Sequence, residues 1–495
     1  MAVLVFALAA ICASVIGLQT PYQKIETVTE RLGQTPVTRQ WRHGSEKAPT
    51  VVIAHGFAGS RQLMQPFAVT LAMNGYRTIS FDFLGHGRNS APLAGDITRE
   101  TGATQALLGE TQKVVAYARS LPGGDGRIAL LGHSMASDIL VRAANQDPGI
   151  SATVAVSMFS EQVTATSPKN LLMIVGEYEG FLTRAALANL QSIGIEAPEV
   201  GETYLAPNSD NRRRVSVSNS TEHVSVLYSK QSLREAVDWL DLVFHRQSDG
   251  WVERRAPWLG LLFAGVIALG WPLAALLSPI KRDVVAFSSS RFVLLTGAAA
   301  LITPLILWPM PTALLPVLVA DYLALHFLVY GAIVAVGLRW FAAVSVSWPS
   351  KGAVIQTIVT TIFVTSAIAL PLDLYVASFV PVTTDRLVLI ALLGVGTVCY
   401  CLSDAWLICC NGRRWWWPWA SKAAFLGSIA LAISLNLSEL FFLIIILPVI
   451  VLFFAVYGLF GLWLMRSTKH PSVGGMAIGV AFAWALGVTF PLLAS

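Results

Sequence analysis

The chain has 495 residues, of which 55% are hydrophobic and 13% are charged, and its formal net charge is +5. Soluble domains average roughly 45–50% apolar and 25% charged residues, so this composition excludes a wholly soluble protein and indicates a membrane-embedded part. No tract of Lys and Arg interleaved with aromatic residues occurs, which argues against a nucleic-acid partner. The five cysteines all lie in apolar segments, so neither a disulfide framework nor a zinc site is indicated.

The first segment of the chain, residues 2–18, is apolar and uncharged. A cleaved signal peptide would need a basic start and a small-x-small cleavage site, and neither is clear here. The length suits a helix that crosses a bilayer. We therefore predict a retained transmembrane anchor over residues 1–20, with a signal peptide as the alternative.

Residues 21–250 carry most of the charge and alternate between short strand patterns and helical patterns. A β-hairpin is expected at 24–43, around Leu32-Gly33-Gln34. Further strands are expected at 50–54, 77–83, 128–131, 152–158, 171–175 and 215–217, and helices at 62–74, 99–121, 136–145 and 233–245. Strands that alternate with helices indicate βαβ units, and so a mostly parallel sheet with helices on both faces.

Residues 256–495 are nearly continuous apolar runs, which predict an all-α, polytopic transmembrane domain of about eight helices. The spans are expected at 257–278, 293–319, 322–345, 354–379, 387–410, 419–437, 440–464 and 473–494. The loops after the first, third, fifth and seventh of these spans are basic, and the other loops carry mainly acids. By the positive-inside rule the basic loops are cytoplasmic. Residues 21–250 are then extracytoplasmic, on a cell membrane such as the bacterial inner membrane, although Arg254 and Arg255 would lie just outside it.

Several polar residues in or at the ends of these spans are expected to face other helices rather than lipid, with loop or interface positions as the alternative for half or more of them. They are Asp321, His326, Asp373, Asp404, Asn436 and Glu439. Gly475 and Gly479 form a GxxxG pair, which predicts close helix packing.

The strongest chemical motif lies at residues 132–136 (Gly-His-Ser-Met-Ala), between an apolar strand and a helix. A nucleophile elbow requires this strand–turn–helix context. The sharp turn needs small residues two positions before and after the serine, and Gly132 and Ala136 supply them. Such a turn would expose the hydroxyl of Ser134 and direct the backbone N–H of Met135 at a developing oxyanion.

Segments on both sides of this elbow resemble the α/β-hydrolase superfamily, in its lipase, esterase and peptidase branch. In chain order they are His55-Gly56-Phe57, residues 81–90, the elbow, residues 172–179 and Glu222-His223-Val224. Residues 81–90 are similar to the family's Asp-x-x-Gly-His-Gly-x-Ser loop, with one residue added before the serine. The resemblance covers about residues 24–245 and implies an α/β-hydrolase domain.

The resemblance also implies a catalytic triad of Ser134, His223 and an acid. A serine hydroxyl is a poor nucleophile until an imidazole takes its proton, and a carboxylate must orient that imidazole. His223 lies in a polar loop after a short strand, as a triad histidine should. Glu179 lies where the family usually has Asp, and Glu161 and Glu177 are the alternative acids.

The remaining site residues follow from the same resemblance. The backbone N–H groups of Phe57 and Met135 are the expected oxyanion donors. His86 is expected to be structural, and His133 structural or pocket-lining. Asp82 is expected to hold its own loop by hydrogen bonds.

Together these features predict a membrane-anchored serine hydrolase that cleaves acyl esters, with lipids and lipid-linked molecules among the candidate substrates, in contact with membrane lipids. Acyl transfer with the same triad, peptidase activity, and a non-catalytic sensor or binding module remain alternatives. No metal or organic cofactor is implied, and the oligomeric state stays open. About a dozen residues separate the strands that end near Met158 and begin at Leu171, which leaves no room for a helical cap. Access must then be governed by short loops, by residues 181–211, or by the membrane domain.

Overall fold

A computed structural model describes residues 1–44, 47–95, 100–207, 209–280, 286–342, 351–410 and 414–494. The chain divides into two compact units. The sheet unit comprises Cys12–Leu261, Leu372–Ser378 and Pro491–Ser495, and the helical unit comprises Met1–Ile11, Leu262–Pro371 and Phe379–Phe490.

Within the described residues, the sheet unit is built on a nine-stranded sheet. Its strands are β1 (Ile25–Leu32), β2 (Thr35–Arg42), β3 (Ala48–Ala54), β4 (Arg77–Phe81), β5 (Gly124–His133), β6 (Ile150–Val156), β7 (Leu171–Gly176), β8 (Thr203–Leu205) and β9 (Arg212–Ser218). Their order across the sheet is β1-β2-β4-β3-β5-β6-β7-β9-β8. The strands from β4 across to β9 pair in parallel, and β1, β2 and β8 run antiparallel to their neighbours. The expected hairpin and the mostly parallel sheet are both confirmed.

Helices cover both faces of this sheet. Helix α1 (Ala2–Gln19) precedes the sheet in the chain, and the covering helices are α2 (Gln65–Met73), α3 (Gln105–Ser120), α4 (Met135–Gln146), α5 (Gly180–Ser192) and α6 (Lys230–Phe244). Successive residues of a strand point to opposite faces. In β3, Val51 and Ile53 accordingly join the core formed with α2 and α6, while Val52 and Ala54 join the core formed with α3 and α4. All four side chains are fully buried, so the central strands need apolar residues at every position.

Some boundaries differ from the prediction. β4 ends at Phe81, two residues before the predicted end, and a loop follows it. The helix expected from residue 99 is α3, which begins at Gln105, and Arg99 itself lies outside the described residues. Helix α5 and the short strand β8 occupy residues 181–211, where no regular element was predicted.

Beyond residue 254, the described residues form mainly helices. These helices are α7 (Arg255–Ala274), α8 (Ser289–Leu307), α9 (Ala320–Ala342), α10 (Lys351–Tyr375), α11 (Thr384–Ile408), α12 (Trp417–Leu435), α13 (Leu437–Thr468) and α14 (Pro471–Thr489). In the described part of the chain, α1 and these eight helices are long and apolar enough to cross a membrane. Each predicted span therefore has a matching helix. Three basic residues used for the topology prediction, Lys281, Arg282 and Arg413, lie outside the described residues.

The GxxxG pair of α14 lies directly against α11. A Cβ on Gly475 would come within 2.9 Å of the carbonyl oxygen of Cys401, and one on Gly479 within 2.6 Å of the Cα of Val398. Only glycine permits such a close approach of two helix backbones. The predicted close packing at this pair is confirmed.

Two of the polar residues in the apolar helices contact other helices, as expected. Asp404 of α11 is buried and forms an ion pair with Lys422 of α12. His326 of α9 is fully buried, with its ring edge-on to Phe425 of α12. Asp373 instead belongs to the sheet unit.

Candidate active site

Ser134 occupies the sharp turn between β5 and α4. Its backbone has φ 54° and ψ −121°, a strained conformation for a residue with a side chain. Its N–H donates to the carbonyl of Val156 on the neighbouring strand at 2.8 Å. A Cβ on Gly132 would come within 2.6 Å of Leu140 and 3.1 Å of the backbone of Ala136. The small residues expected on each side of the serine are therefore required by close contact of strand and helix.

His223 lies between Ser134 and Glu179. Its Nε2 is 2.8 Å from Ser134 Oγ, and its Nδ1 is 2.6 Å from Glu179 Oε1. An ionised carboxylate can only accept hydrogen bonds, so Nδ1 carries the proton and Nε2 presents its lone pair in the neutral ring. The ring is thus held in the form that accepts a proton from Ser134.

Glu179 is held by three donors. Oε1 accepts from His223, and Oε2 accepts from Ser157 Oγ and from the N–H of Gly176, both at 2.7 Å. Burial alone would raise the pKa of Glu179, but the hydrogen bonds from His223, Ser157 and Gly176 outweigh it and hold the pKa below its ordinary value. The carboxylate therefore stays ionised and can stabilise a protonated His223.

The other two acid candidates are not brought to His223. The carboxylate of Glu177 accepts from the N–H of Ser220 at 2.6 Å, and both Glu177 and Glu161 are exposed. Glu177 is two positions before Glu179 and bonds to Ser220 instead of His223, while Glu161 follows a different strand, β6. Of the three, the structure places Glu179 beside the imidazole.

The segment after β3 carries the predicted oxyanion donor Phe57 next to the elbow. A Cβ on Gly56 would come within 3.0 Å of Ser134 Cβ, so this segment lies directly against the serine. His55 fixes its position, because Nδ1 donates to the carbonyl of Gly56 at 2.7 Å and Nε2 accepts from the N–H of Phe83 at 3.1 Å. Burial lowers the pKa of His55 to about 4, which keeps it neutral for these two roles.

The second predicted donor, Met135, is the first residue of α4. The first N–H groups of a helix have no acceptor within the helix, and the helix dipole favours negative charge beside them. The two predicted oxyanion donors thus lie in the segment that packs against Ser134 and at the first position of α4.

His133 has a role that the sequence did not identify. Its Nε2 is 2.8 Å from the carbonyl oxygen of His223 and must donate to it, so Nδ1 is unprotonated. Burial, together with the charge of nearby His223, lowers the pKa of His133 to about 3. The residue before the serine therefore holds the backbone of His223. Sequence reasoning also missed Ser157, whose only signal was its place just after a buried strand.

The loop after β4 is held by a buried carboxylate. Asp82 is fully buried and accepts from the N–H groups of Arg61 and Arg88 at 2.7 and 3.0 Å, and it forms an ion pair with the Arg61 side chain. This confirms that Asp82 holds its own loop. His86 Nδ1 donates to the carbonyl of Leu84 in the same loop at 2.8 Å, and the His86 ring contacts Phe57 edge-on.

An exposed apolar rim adjoins the candidate triad. We define it as Phe159, Tyr178, Phe181 and Val224, which are 52%, 70%, 62% and 44% exposed. The rings of Phe159 and Phe181 stack, with centroids 5.8 Å apart. Each rim residue lies within two positions of Ser157, Glu179 or His223 in the chain, so the rim belongs to the loops that carry the site.

The site residues leave the carboxyl ends of successive strands of the sheet. Phe57 follows β3, Ser134 follows β5, Ser157 follows β6, Glu179 follows β7 and His223 follows β9, and these strands are neighbours in that order. Ligand sites of open parallel sheets form at this edge.

Comparison with known families agrees with this architecture. Residues 49–192 match a family model described as alpha/beta hydrolase fold. That stretch contains the segment of Phe57, the elbow and the acid loop. Together with the mostly parallel sheet, it assigns the α/β-hydrolase fold to the sheet unit. Among curated proteins, no match to this chain is found.

Three solved structures each match less than half of the chain. A hypothetical protein from Pseudomonas aeruginosa is 12% identical over 44% of this chain and 93% of its own, with a TM-score of 0.33. A structure from a study of Nitrososphaera gargenis carboxylesterases is 12% identical over 44% and 99%, with a TM-score of 0.34. A CIB-like hydrolase from Thermoplasma acidophilum is 13% identical over 44% and 97%, also with a TM-score of 0.34.

Proposed function

We propose that this chain, whose sheet unit has the α/β-hydrolase fold, is a membrane-anchored serine hydrolase that cleaves acyl esters. The observation that carries the proposal is the continuous hydrogen-bond path from Ser134 Oγ through His223 to Glu179, at 2.8 and 2.6 Å. A path of this kind serves a reaction in which the hydroxyl loses its proton to the imidazole.

The reaction proceeds in two halves. In the first, Ser134 Oγ attacks the ester carbonyl while His223 Nε2 takes its proton, and the N–H groups of Phe57 and Met135 stabilise the oxyanion. The C–O bond to the alcohol then breaks, and His223 returns its proton to the leaving alcohol. In the second half, His223 takes a proton from a water molecule, which attacks the acyl carbon. The bond from that carbon to Ser134 Oγ then breaks, His223 returns the proton to Oγ, and the acid is released. Side chains and backbone groups supply every step, and Glu179 stays ionised throughout.

The apolar rim supports an ester with an apolar acyl group. Exposed aromatic side chains are costly in water, and a stacked pair beside a nucleophile provides a surface that an acyl chain can cover. The stretch between β6 and β7 has only about a dozen residues and contains no helix, so it supplies no helical cap for the rim. We therefore favour lipid or lipid-linked esters over small polar ones.

We also propose that the apolar helices span a cell membrane, with the sheet unit on the outer side. Support comes from the length and composition of α1 and α7–α14 and from the alternation of basic and acidic loops. External protease added to intact cells should then cleave within residues 21–250. Cleavage only after the inner membrane is lysed would contradict this topology.

The decisive experiment is labelling with a fluorophosphonate probe, which captures an activated serine. Membranes that contain the wild-type chain should be labelled, and those with Ser134→Ala should not. Ser120→Ala is the matched control, because Ser120 is an exposed serine at the end of α3. An unlabelled wild-type chain would overturn the enzymatic proposal and favour a binding module. If labelling occurs, added alcohols or amines that capture the acyl group would indicate transfer instead of hydrolysis.

A further inference from the structure

Two short segments that follow apolar helices in the chain belong to the sheet unit. They are residues 372–378, at the end of α10, and residues 491–494, after α14. We call them the return segments. Their contacts fall on two loops of the sheet unit: residues 55–60 after β3, which we call the oxyanion segment, and the loop after β4.

The first return segment is bonded to the end of the oxyanion segment. The N–H of Ser378 donates to Ser60 Oγ at 2.9 Å, and Ser378 Oγ donates to Gln62 Oε1 at 3.0 Å. Ser60 and Ser378 are both buried. Ser60 is three positions after Phe57, and the bond from Gly59 N–H to the carbonyl of Gly56 closes the turn that contains Phe57. The first return segment thus fixes the far end of this turn.

A second contact of the same segment reaches the loop after β4. Asp373 Oδ2 lies 2.6 Å from an Arg88 guanidinium nitrogen, and the Asp373 side chain is 10% exposed. The N–H of Arg88 donates to Asp82, which also accepts from the N–H of Arg61. Charged and charge-assisted bonds therefore connect Asp373 through Arg88 and Asp82 to Arg61, the residue after Ser60.

The second return segment adds backbone pairing to the same loop. The N–H of Leu93 donates to the carbonyl of Leu492 at 2.8 Å, the N–H of Ala494 donates to the carbonyl of Leu93 at 2.9 Å, and the N–H of Leu492 donates to the carbonyl of Gly85 at 2.9 Å. Gly85 has φ 73°, and a Cβ there would lie 2.4 Å from the Leu492 carbonyl oxygen. Glycine is required at this point so that the two backbones can meet.

We propose that the return segments position the oxyanion segment, with Asp373 and Arg88 as positioning residues for the reaction proposed above. An oxyanion donor acts only within a few tenths of an ångström of its place, and misplacement of a catalytic group by about 1 Å can cost a hundredfold in rate. The contacts of Ser378 and Asp373 converge on the turn that carries Phe57. Hydrolase activity therefore depends on two segments far beyond His223 in the chain. The first return segment begins about 150 residues after His223, and the second more than 200 residues after it.

The test compares two aspartate variants in the full chain. Asp373→Asn removes the charge that faces Arg88, and Asp147→Asn does the same to the Arg119–Asp147 ion pair of the sheet unit. Asp147 is the C-cap residue of α4, and this helix begins at Met135, next to Ser134 and twelve residues earlier. At 1.5 Å per residue, Asp147 lies about 18 Å from the site. We expect Asp373→Asn to lower both kcat and the rate of fluorophosphonate labelling about tenfold, with KM changed less than about twofold. Asp147→Asn should change neither kcat nor the labelling rate. Arg88→Lys, which keeps the charge, should retain more activity than Arg88→Ala.

The outcomes separate this inference from the proposed function. Equal labelling of Asp373→Asn and wild type, or equal slowing by both aspartate variants, would overturn the positioning role while leaving the serine hydrolase intact. If wild type itself is not labelled, the proposed function fails, and amide hydrogen exchange gives the answer. Faster exchange at residues 57–64 in Asp373→Asn than in Asp147→Asn would then support positioning by the return segment, and unchanged exchange would overturn it.

Discussion

Replacing Glu179 with glutamine tests the candidate triad at its most ambiguous position. The Oε2 atom of Glu179 accepts from Ser157 and from the N–H of Gly176, and Oε1 accepts from His223. A glutamine amide has a single carbonyl oxygen, and the two donors at the Oε2 position would hold it there. Its NH₂ group would then face His223 Nδ1, which must accept a hydrogen bond instead of donating one. The imidazole proton moves to Nε2, and Ser134 loses its base.

The wrong tautomer is expected to lower kcat by about a thousandfold to ten-thousandfold, equivalent to roughly 4–5.5 kcal/mol of transition-state stabilisation. KM should change by less than about threefold, since the acid does not touch the substrate. Both values can be measured from initial rates of p-nitrophenyl butyrate hydrolysis by the detergent-solubilised chain. The rate of fluorophosphonate labelling should fall with kcat.

Two further variants serve as controls for this substitution. Glu161→Gln and Glu177→Gln change exposed carboxylates near the same edge of the sheet, and each should retain activity within about twofold of wild type. Glu179→Asp keeps the carboxylate on a shorter side chain and should retain part of the activity. A Glu179→Gln enzyme that hydrolyses the ester at the wild-type rate would refute the assignment. Loss of activity in Glu161→Gln or Glu177→Gln instead would identify another acid.

Two more predictions concern packing and pH. Gly176→Ala would place a Cβ 2.7 Å from the carbonyl oxygen of Thr221, and we expect at least a tenfold loss of kcat. Gly180→Ala, whose Cβ would have its nearest contact at 3.6 Å, should have a kcat near that of wild type. Equal kcat values for the two variants would contradict the packing argument. Burial lowers the pKa of His55 to about 4 and that of His133 to about 3, from 6.5. The unfolded chain thus binds protons near pH 6.5 that the folded chain does not, so the free energy of unfolding falls as pH falls, by about 2 kcal/mol per histidine at pH 5. Thermal midpoints that are equal at pH 7 and pH 5 would contradict it.

Most of the fold was predictable because its signals are local. Apolar runs of strand length, such as the one that became β5, alternate with helical patterns, and this alternation is the signature of a parallel sheet. The elbow was predictable for a similar reason, since a small residue on each side of a serine is visible within five positions. The apolar helices were predictable from length and composition, and their ends shifted by a few residues. The exception is α8, which ends at Leu307, twelve residues before the predicted end of its span.

Contacts between distant parts of the chain were not predictable in the same way. The bond from His133 to the carbonyl of His223 joins residues 90 positions apart, and nothing in the local sequence of either residue indicates it. Asp373 was identified as a polar residue near the end of an apolar helix, but its partner Arg88 is 285 positions away. Such pairs depend on the order of strands in the sheet and on where a helix ends, and a single sequence specifies neither directly.

The strand order also explains why the loop after β9 needs so much support. Ser134 and His223 leave strands three intervals apart, and at about 4.8 Å per interval this is roughly 14 Å, yet their side chains are 2.8 Å apart. The loop must therefore return across β7 and β6. Backbone bonds from the N–H groups of Glu177 and Tyr178 to the carbonyls of residues 218 and 221 hold it over the end of β7, and His133 holds it at the elbow. The geometry of the base thus depends on hydrogen bonds made by the backbone of its loop as much as on the imidazole itself.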